Sequence, residues 1–220
     1  MSQTGRAKDD LLKAGTTLPR GWTVTEKCGP ERCGRYSTGY LVRHDDGRRG
    51  FLKCLNYDFY LLTDDPREQL KAAVDAFSDE SRLLTVALDH RLDRVVTLFD
   101  HGSIRDAEGR ASVDYLIFEE AEFDGRQQLD ATARAAYFES ARMLHDVAVG
   151  IHQLHGKNIA HQDIRAANVL CFGRQRAKVS DLGKAVDPAT IAEHADEPVP
   201  GDETYAPPEL LYDYLSLIHI

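Results

Sequence analysis

The sequence predicts an α+β fold in two lobes: a small antiparallel sheet with one helix, then a mainly helical part. Three observations carry that prediction. Short β-rich runs recur between residues 22 and 118, a helical stripe interrupts them after residue 65, and a second, longer stripe fills residues 137–155. Trp22 to Lys27 reads as the first strand. Tyr40-Leu41-Val42-Arg43, the turn residues Asp45-Asp46-Gly47 and the run from Gly50 to Leu55 then read as a hairpin. Leu70, Val74, Phe77, Ser81, Leu84 and Leu88 alternate spacings of four and three, the signature of one buried helical face. Asp65-Pro66 supplies the boundary before this helix, which is expected to follow the third strand directly. Val95 to Phe99 and Val113 to Phe118, separated by a loop holding Gly102 and Gly109, add two strands and complete a five-stranded sheet.

The second lobe opens on a long helix. Tyr137, Ala141, Leu144, Ala148, Ile151 and His155 repeat the four-three spacing, with Val147 and Leu154 widening the apolar face. His155-Gly156-Lys157-Asn158 ends it, and Gly125 with Arg126-Gln127-Gln128 reads as the hinge between the lobes. The expected organisation is a leader over residues 1–19, a first lobe over 20–124 and a second over 125–220.

Composition narrows the function classes. The 220 residues carry 27 Lys+Arg against 36 Asp+Glu, a formal charge of −9, which argues against a partner with a phosphate backbone. The N-terminal residues lack an apolar signal core, and no stretch approaches the roughly 18 apolar residues of a membrane span, so a cytoplasmic protein with no membrane partner is expected. Cys28, Cys33, Cys54 and Cys171 form no CxxC pair. A zinc or redox cluster of the first three is weighed against free thiols in a reducing compartment, and the free thiols are preferred.

The chemistry concentrates after the long helix. His161-Gln162-Asp163-Ile164-Arg165-Ala166-Ala167-Asn168 places an Asn five residues beyond an Asp, and Asp181-Leu182-Gly183 follows. An Asp or Asn alone caps turns and fills loops, so the combination carries the signal. This segment resembles the catalytic and metal-binding loops of the eukaryotic-like protein kinases, whose pattern is His-Arg-Asp, Asn and Asp-Phe-Gly. Lys53, in the strand Phe51-Leu52-Lys53-Cys54-Leu55, matches the family's strand lysine, and Glu80 beside the buried stripe offers its ion-pair partner, with Asp79 as the alternative. Gly34-Arg35-Tyr36-Ser37-Thr38-Gly39-Tyr40-Leu41 has the spacing of the family's glycine-rich loop, with Tyr36 at the second glycine and Leu41 at the valine. Gly201 to Glu209 resembles the Ala-Pro-Glu end of the activation segment. Small-molecule kinases generally lack that segment, which favours a protein substrate.

The resemblance implies a two-lobed protein kinase-like fold that uses ATP and Mg2+ and transfers a γ-phosphoryl group to Ser or Thr of a protein, the chain itself included. By that implication Asp163 is the catalytic carboxylate, Lys53 the phosphate contact and Glu80 its orienter. Asn168 and Asp181 are the metal ligands, hard oxygen donors of the kind magnesium accepts. Gly34, Gly39, Leu41, Lys53, Glu119 and Ala121 contact the nucleotide. Gln162 replaces the arginine that binds an activation-loop phosphate, so activity independent of phosphorylation there is expected, with Thr190 the main acceptor in the segment. Eleven residues follow Glu209, where the family continues with further helices, so an incomplete helical lobe is expected. Tyr36 and Gln162 leave a nucleotide-binding pseudokinase as the alternative, and a small-molecule kinase as a third reading.

Overall fold

The computed structural model describes residues 12–29, 36–105, 112–129, 134–173, 176–188 and 203–205. The chain divides into two compact units, Met1–Ser81 with Leu98–Glu120 and Arg82–Thr97 with Ala121–Ile220.

The first unit is built on a sheet of β1 (Thr17–Leu18), β2 (Trp22–Lys27), β3 (Ser37–His44), β4 (Arg49–Leu55), β5 (Leu98–Arg105) and β6 (Ser112–Glu119). Its order is β1-β2-β3-β4-β6-β5, and every pair is antiparallel. Six strands therefore stand where five were expected, because Thr17–Leu18 in the anticipated leader pairs with β2. Period-two alternation divides the sheet into faces. Trp22, Val24, Tyr40, Val42, Leu52 and Ile117 point into one core. Gly39, Leu41, Phe51 and Lys53 fall on the other face, with Gly39 opposite Lys53 and Leu41 opposite Phe51. Gly50 lets the strands meet over the core: a Cβ there would lie 3.0 Å from the Phe118 carbonyl oxygen and 3.1 Å from the Trp22 ring.

Two expectations for this region need correction. A short helix, α1 (Tyr57–Leu61), separates β4 from the next helix, because Asn56 accepts from the Phe59 N–H through its side chain and starts a turn. Gly102 lies within β5, which begins at Leu98 rather than Val95. Val95 instead bridges Val179 in the second unit, and the Val96 N–H donates to the Val179 carbonyl at 2.8 Å. A β-branched run shows that a segment extends; it does not name its partner.

The predicted helix forms as α2 (Pro66–Asp89), capped by the Asp65 carboxylate, which accepts from the Glu68 N–H. Phe77, Glu80, Leu83, Leu84 and Ala87 are its buried positions, whereas Leu88 is exposed. The buried face is thus rotated slightly from the expected stripe and contains a carboxylate.

The second unit holds α3 (Gly125–Leu129), α4 (Arg134–His155) and a small sheet of β7 (Phe123–Asp124), β8 (Val169–Phe172) and β9 (Arg176–Val179). The expected hinge at Gly125 is the first residue of α3, and both Gly125 and Gln128 are buried. The long helix forms, but most of its expected stripe is not buried: Tyr137, Ala141, Leu144, Ala148 and His155 are exposed and Ile151 is half-buried. Val147 and Leu154, expected to widen that face, are buried as expected, and Met143, Asp146 and Gly150 complete the buried side. Asp146 explains the difference, because its carboxylate accepts from Arg94 Nε and the Ala177 N–H, each at 2.9 Å. Gly150 completes it: a Cβ there would lie 2.8 Å from the Arg94 carbonyl oxygen and 2.9 Å from Val179 Cγ2. Asn158, at φ 58°, follows the helix in the left-handed region that Asn tolerates.

Candidate active site

In the first unit, β4 and α2 bring together the two residues expected to pair. Lys53 Nζ donates to Glu80 Oε1 at 3.0 Å and Oε2 at 2.8 Å, so the ammonium is held by both carboxylate oxygens. The Glu80 side chain is 2% exposed and that of Lys53 20%. Asp79, the alternative, is only half-buried. Gly39 sits across the β3–β4 ladder from Lys53, and its carbonyl accepts the Cys28 N–H. Leu41 shares the face of Gly39. Glu119 pairs with Gly50 at the end of β6. Gly34 lies outside the described residues.

Tyr36, at the second glycine position, packs its ring edge-on against Phe59 at 5.0 Å and over Tyr60 at 6.2 Å, and its carbonyl accepts the Asn56 N–H. The residue that breaks the loop pattern is thereby tied to α1, an element the sequence reading missed. A cluster of aromatics at positions 57, 59 and 60 was the available signal. Burial pushes the Tyr60 hydroxyl up, Tyr36 adds to the shift and Lys53 opposes it.

In the second unit the loop after α4 is organised by hydrogen bonds. His161 is buried; its Nε2 donates to the Ser180 carbonyl at 3.0 Å and its Nδ1 accepts the Asp163 N–H at 3.3 Å. One donating and one accepting nitrogen define a neutral imidazole, and burial holds its pKa below the ordinary value. Asn168 Nδ2 donates to both the backbone carbonyl and Oδ2 of Asp163, each at 2.9 Å. The planar amide thus fixes the Asp163 carboxylate and turns its own oxygen to the opposite side. Arg165 Nε lies 3.4 Å from the same Asp163 oxygen.

The Ser180 N–H and Oγ both donate to the Asn168 backbone carbonyl, at 2.9 and 3.0 Å, which places Asp181 directly after a residue bound to Asn168. Gln162 and Asp181 occupy the left-handed region at φ 63° and 62°. Non-glycine residues hold that conformation where their surroundings over-determine it, as at functional sites. An amide oxygen and a carboxylate are hard donors, so Asn168 and Asp181 fit magnesium by donor chemistry. Ala121 opens the chain's path to β7, and the adjoining Glu122 N–H donates to the Cys171 carbonyl. The activation-segment residue Thr190 and the Ala206-Pro207-Pro208-Glu209 run lie outside the described residues, as does Cys33. Cys54 and Cys171 are free thiols, and no group of metal-ligating side chains forms a cluster among the described residues.

Residues 69–217, more than half of the chain, match the protein kinase domain. The chain belongs to that family. It is 30% identical over 120 residues to the probable serine/threonine-protein kinase PknB of Corynebacterium glutamicum, covering 52% of this chain and 18% of that protein. It is 24% identical over 139 residues to Aurora/IPL1-related protein kinase 2 of Caenorhabditis elegans, covering 60% of this chain and 45% of the other. A shorter stretch of 43 residues is 49% identical to the tyrosine-protein kinase ZAP-70 of Mus musculus, 20% of this chain and 7% of that protein. The kinase domain described here therefore spans less than half the length of these relatives. No described helix is long and apolar enough to cross a membrane.

Proposed function

We propose that this kinase domain transfers the γ-phosphoryl group of ATP to a serine or threonine hydroxyl of a protein, with magnesium. The observation that carries the reading is the Asn168 amide, which holds the Asp163 backbone and carboxylate together while leaving its oxygen directed elsewhere. Phosphoryl transfer asks the protein mainly for positioning and charge neutralisation. Asp163 accepts the proton of the attacking hydroxyl as the new O–P bond forms and the bond to the ADP leaving oxygen breaks. Lys53, pinned by Glu80, contacts the nucleotide phosphates, and Gly39, Leu41, Glu119 and Ala121 border the nucleotide, with Gly34. Asn168 and Asp181 would hold magnesium, which would supply charge neutralisation for the phosphate oxygens. Neutral, buried His161 orients the loop through its bonds to Asp163 and Ser180.

The 120-residue similarity is to a kinase named for serine and threonine, which supports that acceptor. The ZAP-70 match favours tyrosine as the second reading. The free thiols support a cytoplasmic setting.

The test is labelled γ-phosphoryl transfer by the purified chain to itself and to a generic protein substrate, beside Asp163→Asn and Lys53→Ala, with phosphoamino-acid analysis. Both changes should lower transfer by about 100-fold or more, with label on Ser or Thr. Label on Tyr selects the second reading. Full transfer by Asp163→Asn refutes the assigned base, and magnesium-dependent nucleotide binding without transfer assigns a regulatory pseudokinase.

A further inference from the structure

Arg82 and Asp187 take no part in the function just described, yet they form a two-pronged ion pair. Arg82 Nη1 donates to Asp187 Oδ2 at 2.7 Å and Nη2 to Oδ1 at 3.3 Å. Arginine's planar fork meets a carboxylate in one preferred orientation, so such a pair fixes direction as well as distance. Asp187 lies six residues beyond Asp181. The chain between them is short and tightly routed: Leu182 and Val186 are buried, and the Ala185 N–H donates to the Leu182 carbonyl at 3.0 Å. Val186 exchanges both backbone hydrogen bonds with Ala160, each at 2.8 Å, one residue before His161.

Asp181 itself sits at φ 62°, a conformation that persists when both flanks are held. Its leading flank is held by Ser180 on Asn168. Its trailing flank is held by the bridge to Ala160 and by the Arg82 fork, which reaches in from a 24-residue helix.

We propose that Arg82 and Asp187 are positioning residues that keep Asp181 in its left-handed conformation and its carboxylate directed at the metal. The inference rests on the reading of Asp181 as a magnesium ligand. Because the Val186–Ala160 bridge remains when the ion pair is removed, the effect is graded. The Arg82 side chain is 40% exposed and that of Asp187 15%, and a pair at that depth is worth about a three- to fivefold change in an equilibrium.

The experiment titrates magnesium against binding of a fluorescent ATP analogue to the whole chain, with a melting temperature recorded without nucleotide. Arg82→Ala and Asp187→Ala should each raise the magnesium concentration for half-maximal binding about three- to fivefold, while binding in EDTA stays at the wild-type value. The exchange Arg82→Asp with Asp187→Arg should restore the magnesium response to within about twofold, and Arg82→Lys should fall between Arg82→Ala and wild type. Single variants that lower the melting temperature but respond to magnesium as wild type does overturn the proposal and leave a structural pair. An exchange no better than the singles overturns it too. A wild-type chain whose nucleotide binding ignores magnesium refutes the metal role of Asp181, and the positioning role with it.

Discussion

Removing the two ends of the Lys53–Glu80 pair should have unequal effects on stability, and the inequality follows from their burial. Lys53→Met strips the counter-charge from a carboxylate that is 2% exposed, whereas Glu80→Gln leaves an ammonium that is 20% exposed and can turn to water. An uncompensated buried charge costs about 3 kcal/mol, and the more accessible ammonium about 1 kcal/mol. With a urea dependence of about 2 kcal/mol per molar, these become midpoint shifts of about 1.5 M and about 0.5 M. Urea denaturation at pH 7, followed by far-UV circular dichroism, measures both. Equal shifts, or a larger shift for Glu80→Gln, would refute the assignment of Glu80 as the buried partner that Lys53 neutralises.

Three further outcomes follow from the same packing. Burial lowers the His161 pKa below 6.5, so the folded state binds fewer protons there than the unfolded one. The stability His161 contributes as a neutral ring is complete above about pH 6.5 and declines as pH falls below it. The difference in urea midpoint between wild type and His161→Gln should shrink from pH 7.5 to pH 5. Gly150→Ala gains about 1 kcal/mol of helix propensity but drives a methyl to 2.8 Å from a backbone oxygen. A net destabilisation of about 1–2 kcal/mol is expected in urea; a stabilised variant would show that the helix sits further from Val179. Asp146→Ala leaves Arg94 Nε and the Ala177 N–H without their buried acceptor and should cost about 3 kcal/mol, with faster amide exchange at Ala177.

The strand elements of the first unit were the most legible in the sequence. Trp22–Lys27 emerges with the expected bounds, and the hairpin closes on Asp45-Asp46-Gly47, because alternation and turn residues are local signals. Lys53 and Glu80 were legible for a similar reason: one follows from strand parity and the other from its place on a helical stripe. The face of α4 was legible only at Val147 and Leu154. Apolar spacing selects Tyr137, Ala141 and Leu144, but Asp146 and Gly150 define the buried side, and neither a satisfied carboxylate nor an absent side chain registers as hydrophobic. Val95 and Val96 misled for another reason, since their partner Val179 is more than eighty residues away in sequence. Within the candidate site, spacing located Asp163, Asn168 and Asp181. It could not reveal that Ser180 ties two of them together, because a serine before an aspartate has no distinguishing periodicity.

The aromatic anchorage of Tyr36 bears on inhibitor selectivity. On the proposed reading, in which this loop covers the nucleotide, a glycine at position 36 would sample many backbone conformations, and a compound beneath it would have to restrict them. Here the ring is already seated against Phe59 and Tyr60, so less ordering accompanies binding and shape discrimination is sharper. Scaffolds that exploit a collapsible glycine stretch should lose potency against this domain. Flat aromatic compounds able to stack on a fixed phenol edge should gain it, and a Tyr36→Gly variant would reverse the ranking of the two chemotypes.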